Sequence, residues 1–265
     1  TFMRLHDQGH EVHVAYQTSG NIAVTDEFVT RFIDFAVGFE EMFGVDNSKS
    51  IEQLSSAERF IASKKKDQMD TKEIRSIKGL IRRGEAKATC RYVGLPEGRW
   101  HFMNMPFYET GTIEKKPLGE DDILITMELL RKIKPHQVYC AGDLADPHGT
   151  HRVCLEAVFE ALRRIKAAGD DWVKDCWVWL YKGAWQEWDI AEIEMAIPMS
   201  PDQVKKKRFG IFIHQSQKDM VPFQGSDNRE FWQRAEDRNA NTANLYAALG
   251  MTKYAAMEAF VRWHY

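Results

Sequence analysis

The segment from Gln137 to Ala168 constrains the fold more than any other. Gln137-Val138-Tyr139-Cys140-Ala141 is a short apolar run that follows Pro135, and Pro135 stops the amphipathic pattern Asp121 to Lys132. The run leads into the polar stretch Gly142-Asp143-Leu144-Ala145-Asp146-Pro147-His148-Gly149-Thr150-His151, after which Arg152 to Ala168 reads as a helix. Strand, polar loop, helix is the unit of an α/β fold. Open α/β sheets hold their ligands beyond the carboxyl ends of the strands, which makes this loop the first place to look for chemistry.

The rest of the chain follows the same alternation. Thr1 to Gly9 reads as a helix feeding the β-branched strand Glu11 to Thr18, with Ser19-Gly20-Asn21 as a turn. A helix feeding a buried strand resembles the second half of a βαβ unit, so its first strand is expected before Thr1. Between Thr25 and Gly44, Phe28, Phe32, Phe35, Ala36 and Phe39 recur at helical spacing. Residues 48–80 read as one or two surface helices, with Lys64-Lys65-Lys66 on a solvated face, and residues 80–94 as a further helix ending at Gly94. Beyond a short strand near 100–105, strands are expected at 176–182 and 190–197, and helices at 201–218, 229–248 and 253–263. No repeat or low-complexity linker divides the chain. The pattern predicts a single α/β domain over residues 1–265 with a mostly parallel sheet, no first strand of its own, and a helical insertion at 22–79.

Composition narrows the function. With 36 Lys and Arg against 39 Asp and Glu, the net charge of -3 offers no overall basic field for nucleic acid or an anionic bilayer. Cys90, Cys140, Cys154 and Cys176 are too widely spaced for a CxxC pair or a dense disulfide framework, which fits reduced thiols in a cytoplasm. No apolar run approaches membrane-spanning length. A small-molecule ligand is the expected partner.

The loop places His148 and His151 three residues apart at the mouth of a helix, close to Asp143 and Asp146. Neutral imidazole is a common zinc ligand, and carboxylates nearby can orient the rings. Paired loop histidines also commonly serve as caps or surface residues. The tryptophans Trp172, Trp177, Trp179, Trp185 and Trp188 could form a sugar platform, but aromatics in such numbers more often fill a core or an interface. They receive no site role.

Motifs spread along the chain resemble the LmbE/PIG-L deacetylases. Gly9-His10-Glu11-Val12-His13-Val14 with Thr18-Ser19-Gly20 is similar to the family's Gly-His-x-Val strand and Thr-x-Gly turn. Arg82-Arg83-Gly84-Glu85 resembles its Arg-x-x-Glu helix, which here ends at Val93-Gly94. His148-Gly149-Thr150-His151-Arg152 stands where the family has His-Pro-Asp-His-Arg. Ile213-His214-Gln215-Ser216-Gln217 is similar to Ala-His-x-Ser-Gln, and Tyr254-Ala255-Ala256-Met257-Glu258-Ala259-Phe260 to a closing Tyr-Ala-Glu-Ala-Phe.

The resemblance implies a three-layer, Rossmann-like fold and zinc-dependent N-deacetylation. His151 takes the metal, His148 stabilises the oxyanion or assists proton transfer, and Asp146 joins it as a catalytic candidate. Arg82 and Asp143 are candidates for binding the substrate, although Arg82 could equally pair with Glu85. His214 is expected to be a core histidine bonded to backbone. The family's other two zinc ligands and general base come from a His-Pro-Asp-Asp motif expected just before Thr1, so these residues alone are expected to hold zinc poorly and to be inactive. Gly149-Thr150 departs from the family's Pro-Asp and removes a carboxylate. The helical insertion and the form of the histidine loop further resemble the version of this domain found C-terminal to a glucosamine-6-phosphate deaminase (isomerase-like) domain in some bacterial proteins. That implies an upstream fused deaminase domain and an N-acetylglucosamine derivative, such as its 6-phosphate, as substrate. A homo-oligomer is compatible with this reading. A non-catalytic sugar-binding or regulatory domain is the competing one.

Overall fold

The computed structural model describes residues 1–45, 48–65, 68–112, 114–142, 149–183, 186–218 and 229–264. Asp143, Asp146 and His148, together with Trp185 and Lys66, lie outside them. No helix among the described residues is long and apolar enough to cross a membrane.

The chain opens with α1 (Phe2–Asp7) and β1 (Val14–Tyr16), followed by α2 (Asp26–Phe43), α3 (Ser48–Ser63) and α4 (Lys72–Val93). Residue 80, expected near a helix boundary, lies inside α4, a single helix of 22 residues. Its limits are set by local chemistry: the Thr71 hydroxyl accepts from Ile74 N at 3.3 Å, and Gly94 closes the helix at φ +95°. The internal Gly79 and Gly84 cost about 1 kcal/mol each relative to alanine, too little to break a helix anchored by Ile74, Ile81 and Cys90 in two cores. Lys64 also departs from its expected place on a solvated face. It binds Asp26 at 2.8 Å and Asp70 at 2.6 Å, and Lys78 binds the same two carboxylates at 2.7 and 2.8 Å, closing a four-membered ring of ion pairs.

β2 (Trp100–Phe102) lies parallel to β1, with Val14 opposite Trp100 and Tyr16 opposite Phe102. α5 (Glu120–Ile133) and β3 (Gln137–Ala141) follow, then α6 (Thr150–Ala167), β4 (Trp177–Tyr181), β5 (Met195–Met199), α7 (Pro201–Phe212), α8 (Phe231–Ala248) and β6 (Ala256–Trp263). The second sheet has the order β3-β4-β6-β5. Among the described residues β3 and β4 are parallel, while β6 runs antiparallel to both β4 and β5, so the pairings are mixed rather than mostly parallel. The cause is the return of the chain through α8, which feeds β6 into the sheet from the opposite end.

β6 replaces the helix expected at 253–263. Ala256-Met257-Glu258-Ala259 favours a helix by propensity, but here it pairs with β5, the following residues 260–263 pair with β4, and Met257, Ala259 and Phe260 are buried, a tertiary override of local preference. β5 is an edge strand of this sheet, where Pro198 costs no ladder bond.

α5 and α6 cover one face of this sheet, where Ile123, Leu162 and Ile165 pack on Val178, Val138 and Leu180. On the other face Lys207 of α7 binds Glu258 at 2.8 Å, and Asn239 of α8 donates to Met257 O at 3.0 Å. The arrangement is an α/β fold with helices on both faces.

Candidate functional site

Three segments converge beyond the carboxyl ends of β1, β2 and β3. After β1, Gln17 Nε2 donates to Cys154 O in the first turns of α6 at 2.9 Å, and Gln17 O accepts from Met105 N at 2.9 Å. The chain then turns at Gly20, whose φ of +67° suits glycine. A Cβ there would sit 2.9 Å from Arg82 Nε, so the bare backbone lets the turn close over the Arg82 side chain. After β2, Met105, Phe107 and Tyr108 pack with Val153, Cys154 and Ala157 of α6. The N-terminal turn of α6 and the Arg82 side chain are thus fastened to the same loop, 17–20.

Arg82 is held by residues from distant parts of the chain. Its Nη1 donates to Glu85 Oε2 at 2.9 Å and to Ser216 Oγ at 3.4 Å. Glu85 in turn accepts from Ser216 N at 2.7 Å and Ser216 Oγ at 2.8 Å, while Gln217 Nε2 donates to Ala23 O at 2.6 Å. This network explains why the helix expected at 201–218 ends at Phe212: residues 215–217 form a separate 3-10 turn whose Ser216 faces Glu85. Arg82 Nε is buried without a hydrogen-bond partner among the described residues. It lies packed beneath the Gly20 turn.

His214 bonds a side chain rather than backbone, its Nε2 lying 3.0 Å from Thr89 Oγ1. Burial and then the Arg82 charge lower its pKa to about 4, which keeps the ring neutral. Burial also pushes the Tyr108 phenol up to about 12, and the Arg82 charge acts on it in the opposite sense. Asn21 Nδ2 donates to Glu109 Oε2 at 2.9 Å beside them.

His151 lies in the first turn of α6 and is exposed. The preceding Gly149 has φ +68°, a backbone conformation closed to the proline that occupies this place in the His-Pro-Asp-His pattern. Upstream, Gly142 N donates to Tyr181 O at 2.7 Å, and the Trp188 ring lies 3.0 Å from where a Gly142 Cβ would stand. Trp188 Nε1 donates to Leu180 O at 3.1 Å, so this tryptophan supports the strand end that launches the histidine loop. Trp179 is buried, and Trp177 lies exposed beneath the Arg262 guanidinium. Among the described residues no group of three His, Cys, Asp or Glu side chains is arranged to hold a metal.

The family model for PIG-L, described as GlcNAc-PI de-N-acetylase, matches residues 1–162, a stretch that contains Arg82 and the whole histidine loop. The chain belongs to the PIG-L family. Membership sets it among hydrolases of the deacetylase type. A "putative glucosamine-6-phosphate deaminase-like protein" of Bacteroides thetaiotaomicron is 54% identical over 266 residues, covering 99% of this chain and 40% of that protein. The PIG-L chain therefore spans less than half the length of that relative. Among solved structures, GalB, the 4-carboxy-2-hydroxymuconate hydratase of Pseudomonas putida KT2440, superposes with a TM-score of 0.51 over 96% of both chains at 14% identity. A deacetylase of the teicoplanin biosynthetic pathway gives a TM-score of 0.40 over 70% of this chain and 72% of its own, at 19% identity.

Sequence reasoning singled out Arg82 and His151 but missed Gln17, Thr89 and Trp188. Gln17 and Thr89 carry no local signal, because Cys154 and His214, the partners that tie them to distant elements, lie more than a hundred residues away. Trp188 was one tryptophan among several.

Proposed function

We propose that this chain is the deacetylating part of a larger amino-sugar enzyme, a single domain in which a zinc-dependent site removes the acetyl group from an N-acetylglucosamine derivative, with the 6-phosphate as the favoured substrate. The observation that carries the reading is the PIG-L match over residues 1–162, which takes in both Arg82 and the segment from Asp143 to His151. The amino-sugar substrate is supported by the family's description and by the name of the Bacteroides relative.

His151 is the proposed metal ligand within these residues, since neutral imidazole suits zinc and the residue stands in the first turn of α6, the helix that follows β3 and its loop. The remaining ligands and the general base are expected from elsewhere in the longer protein. Bound zinc supplies polarisation of the acetamide carbonyl and a water acidified toward a pKa of about 7. His148, in its protonated form, donates to the developing oxyanion, and Asp146 orients it. Losing one such donor costs about 100- to 1,000-fold in comparable acyl transfers. Asp143 accepts from a sugar hydroxyl. Arg82, with one arm fixed by Glu85, donates to a hydroxyl or phosphate oxygen.

Acetate release by the full-length protein from N-acetylglucosamine 6-phosphate and from N-acetylglucosamine tests the reading. The expected result is a preference for the phosphorylated sugar that shrinks in Arg82→Ala through a raised KM. No acetate from either sugar overturns the substrate assignment. The left-handed Gly149 favours a second reading, a sugar-binding domain without turnover, which predicts saturable sugar binding and no acetate.

A further inference from the structure

We propose that the exposed face of α2 is a homodimer interface, in which this helix pairs with α2 of a second copy of the chain. The helix carries two apolar faces. One holds Val29 and Ile33, buried against α3 and α4. The other presents Phe32, Phe35, Phe39 and Met42, all exposed, Phe35 by 69% and Met42 by 79%, while Phe28 packs against the inner core. Neighbouring rings along this face touch one another, with centroids 6.2 Å apart for Phe35 and Phe39 and 4.6 Å for Phe39 and Phe43.

Three observations select the occupant. The exposed residues 32, 35, 39 and 42 are spaced alternately by three and four, as in the seam of a two-helix coiled coil, so the complement is another helix rather than a flat surface. The extent is that of a dimer. An aromatic side chain has roughly 150–250 Å² to bury, so the exposed parts of Phe32, Phe35, Phe39, Met42 and Phe43 come to roughly 500–700 Å². That is close to the ~800 Å² that each partner contributes to a standard interface and at the upper end of what a monomer usually leaves bare. Finally, a two-fold pairing buries the same patch on both copies, so one apolar seam needs no second surface elsewhere. A bilayer is a poor alternative. α2 carries Asp26, Glu27, Asp34, Glu40 and Glu41 against the single cation Arg31, the reverse of an interfacial membrane helix.

Sedimentation velocity of the full-length protein at micromolar concentration tests the proposal. The wild type is expected to be a dimer, and Phe35→Glu with Phe39→Glu a monomer with an unchanged circular dichroism spectrum. Phe35 lies near the middle of the seam, close to the two-fold axis and to its own copy. Phe35→Cys is therefore expected to oxidise to a disulfide-linked dimer, whereas Leu80→Cys, exposed on α4, is not, and this readout stands if the double variant fails to fold. A monomeric wild type overturns the proposal. So does a dimer whose mass the double substitution leaves unchanged, equal cross-linking at both cysteines, or a monomer whose α2 amides are protected from exchange by another part of its own chain.

Discussion

α6 and α2 are both helices of 18 residues with regular apolar spacing, yet α6 buries six of its residues and α2 only two. α6 lies against a four-stranded sheet, where Ala161, Leu162 and Ile165 are wholly enclosed. α2 lies in a helical layer where the usual order is partly inverted: phenylalanines face out, and the ammonium of Lys78, 4% exposed, lies inside a ring of ion pairs. The same sequence period thus serves opposite ends. Around α6 it builds the platform for the histidine loop, and around α2 it leaves a face for something else to cover.

The sharpest way to break this comparison is a pair of deletions. Leu162→Ala should cost about 2 to 5 kcal/mol of unfolding free energy in a denaturant titration, because the sheet and α5 cannot collapse into the cavity. Phe35→Ser should change the stability of the dilute protein by less than about 0.5 kcal/mol, as a surface substitution does. Equal costs would erase the distinction.

The ion-pair ring gives the next largest effect. Lys78→Met leaves Asp26 and Asp70 sharing only Lys64 and should cost about 2 to 3 kcal/mol, less than a wholly buried pair because Asp26 keeps some water. Burial works to raise the Asp26 carboxyl, but the ammonium groups of Lys64 and Lys78 overcome it and hold it below the usual range. A depressed carboxylate stabilises the fold above its unfolded pKa of about 3.9 and loses that contribution as pH falls through the lower folded value. Exchange-resolved acid melting should therefore open α2 to α4 near or below pH 4. An α2 that opens at neutral pH would contradict the ring's role.

Smaller effects distinguish the two sides of the site. His214, with a folded pKa of about 4 against about 6.5 for ordinary imidazole, favours the fold above pH 6.5, and its contribution falls as pH drops toward 4. Its ring protons in an NMR titration should stay unshifted down to about pH 5, and a midpoint near 6.5 would place it in solvent. Gly149→Ala should cost about 1 to 2 kcal/mol for the left-handed backbone, read as fraying at the start of α6, with the Arg82 network untouched.

Much of the sheet region was legible from sequence because its signals are local. Pro135 and the run 137–141 define β3, and the period of 152–168 locates α6. β6 was not legible, since Ala, Met and Glu favour a helix and only pairing on two edges decides otherwise. In α2 the period was visible, but it did not say which face is buried: Phe32, Phe35 and Phe39 are exposed, whereas Val29 and Ile33 carry the packing. At the site, Arg82 and its pairing with Glu85 could be foreseen from i,i+3 spacing. Capture of Glu85 by Ser216 could not, because it joins segments 131 residues apart.

The most direct test of the deacetylase account is to measure zinc content and acetate release together on the full-length protein and its His151→Ala variant. The account predicts stoichiometric zinc and acetate from N-acetylglucosamine 6-phosphate in the wild type, with both lost in the variant. Undiminished zinc and acetate release after removal of His151 would contradict it.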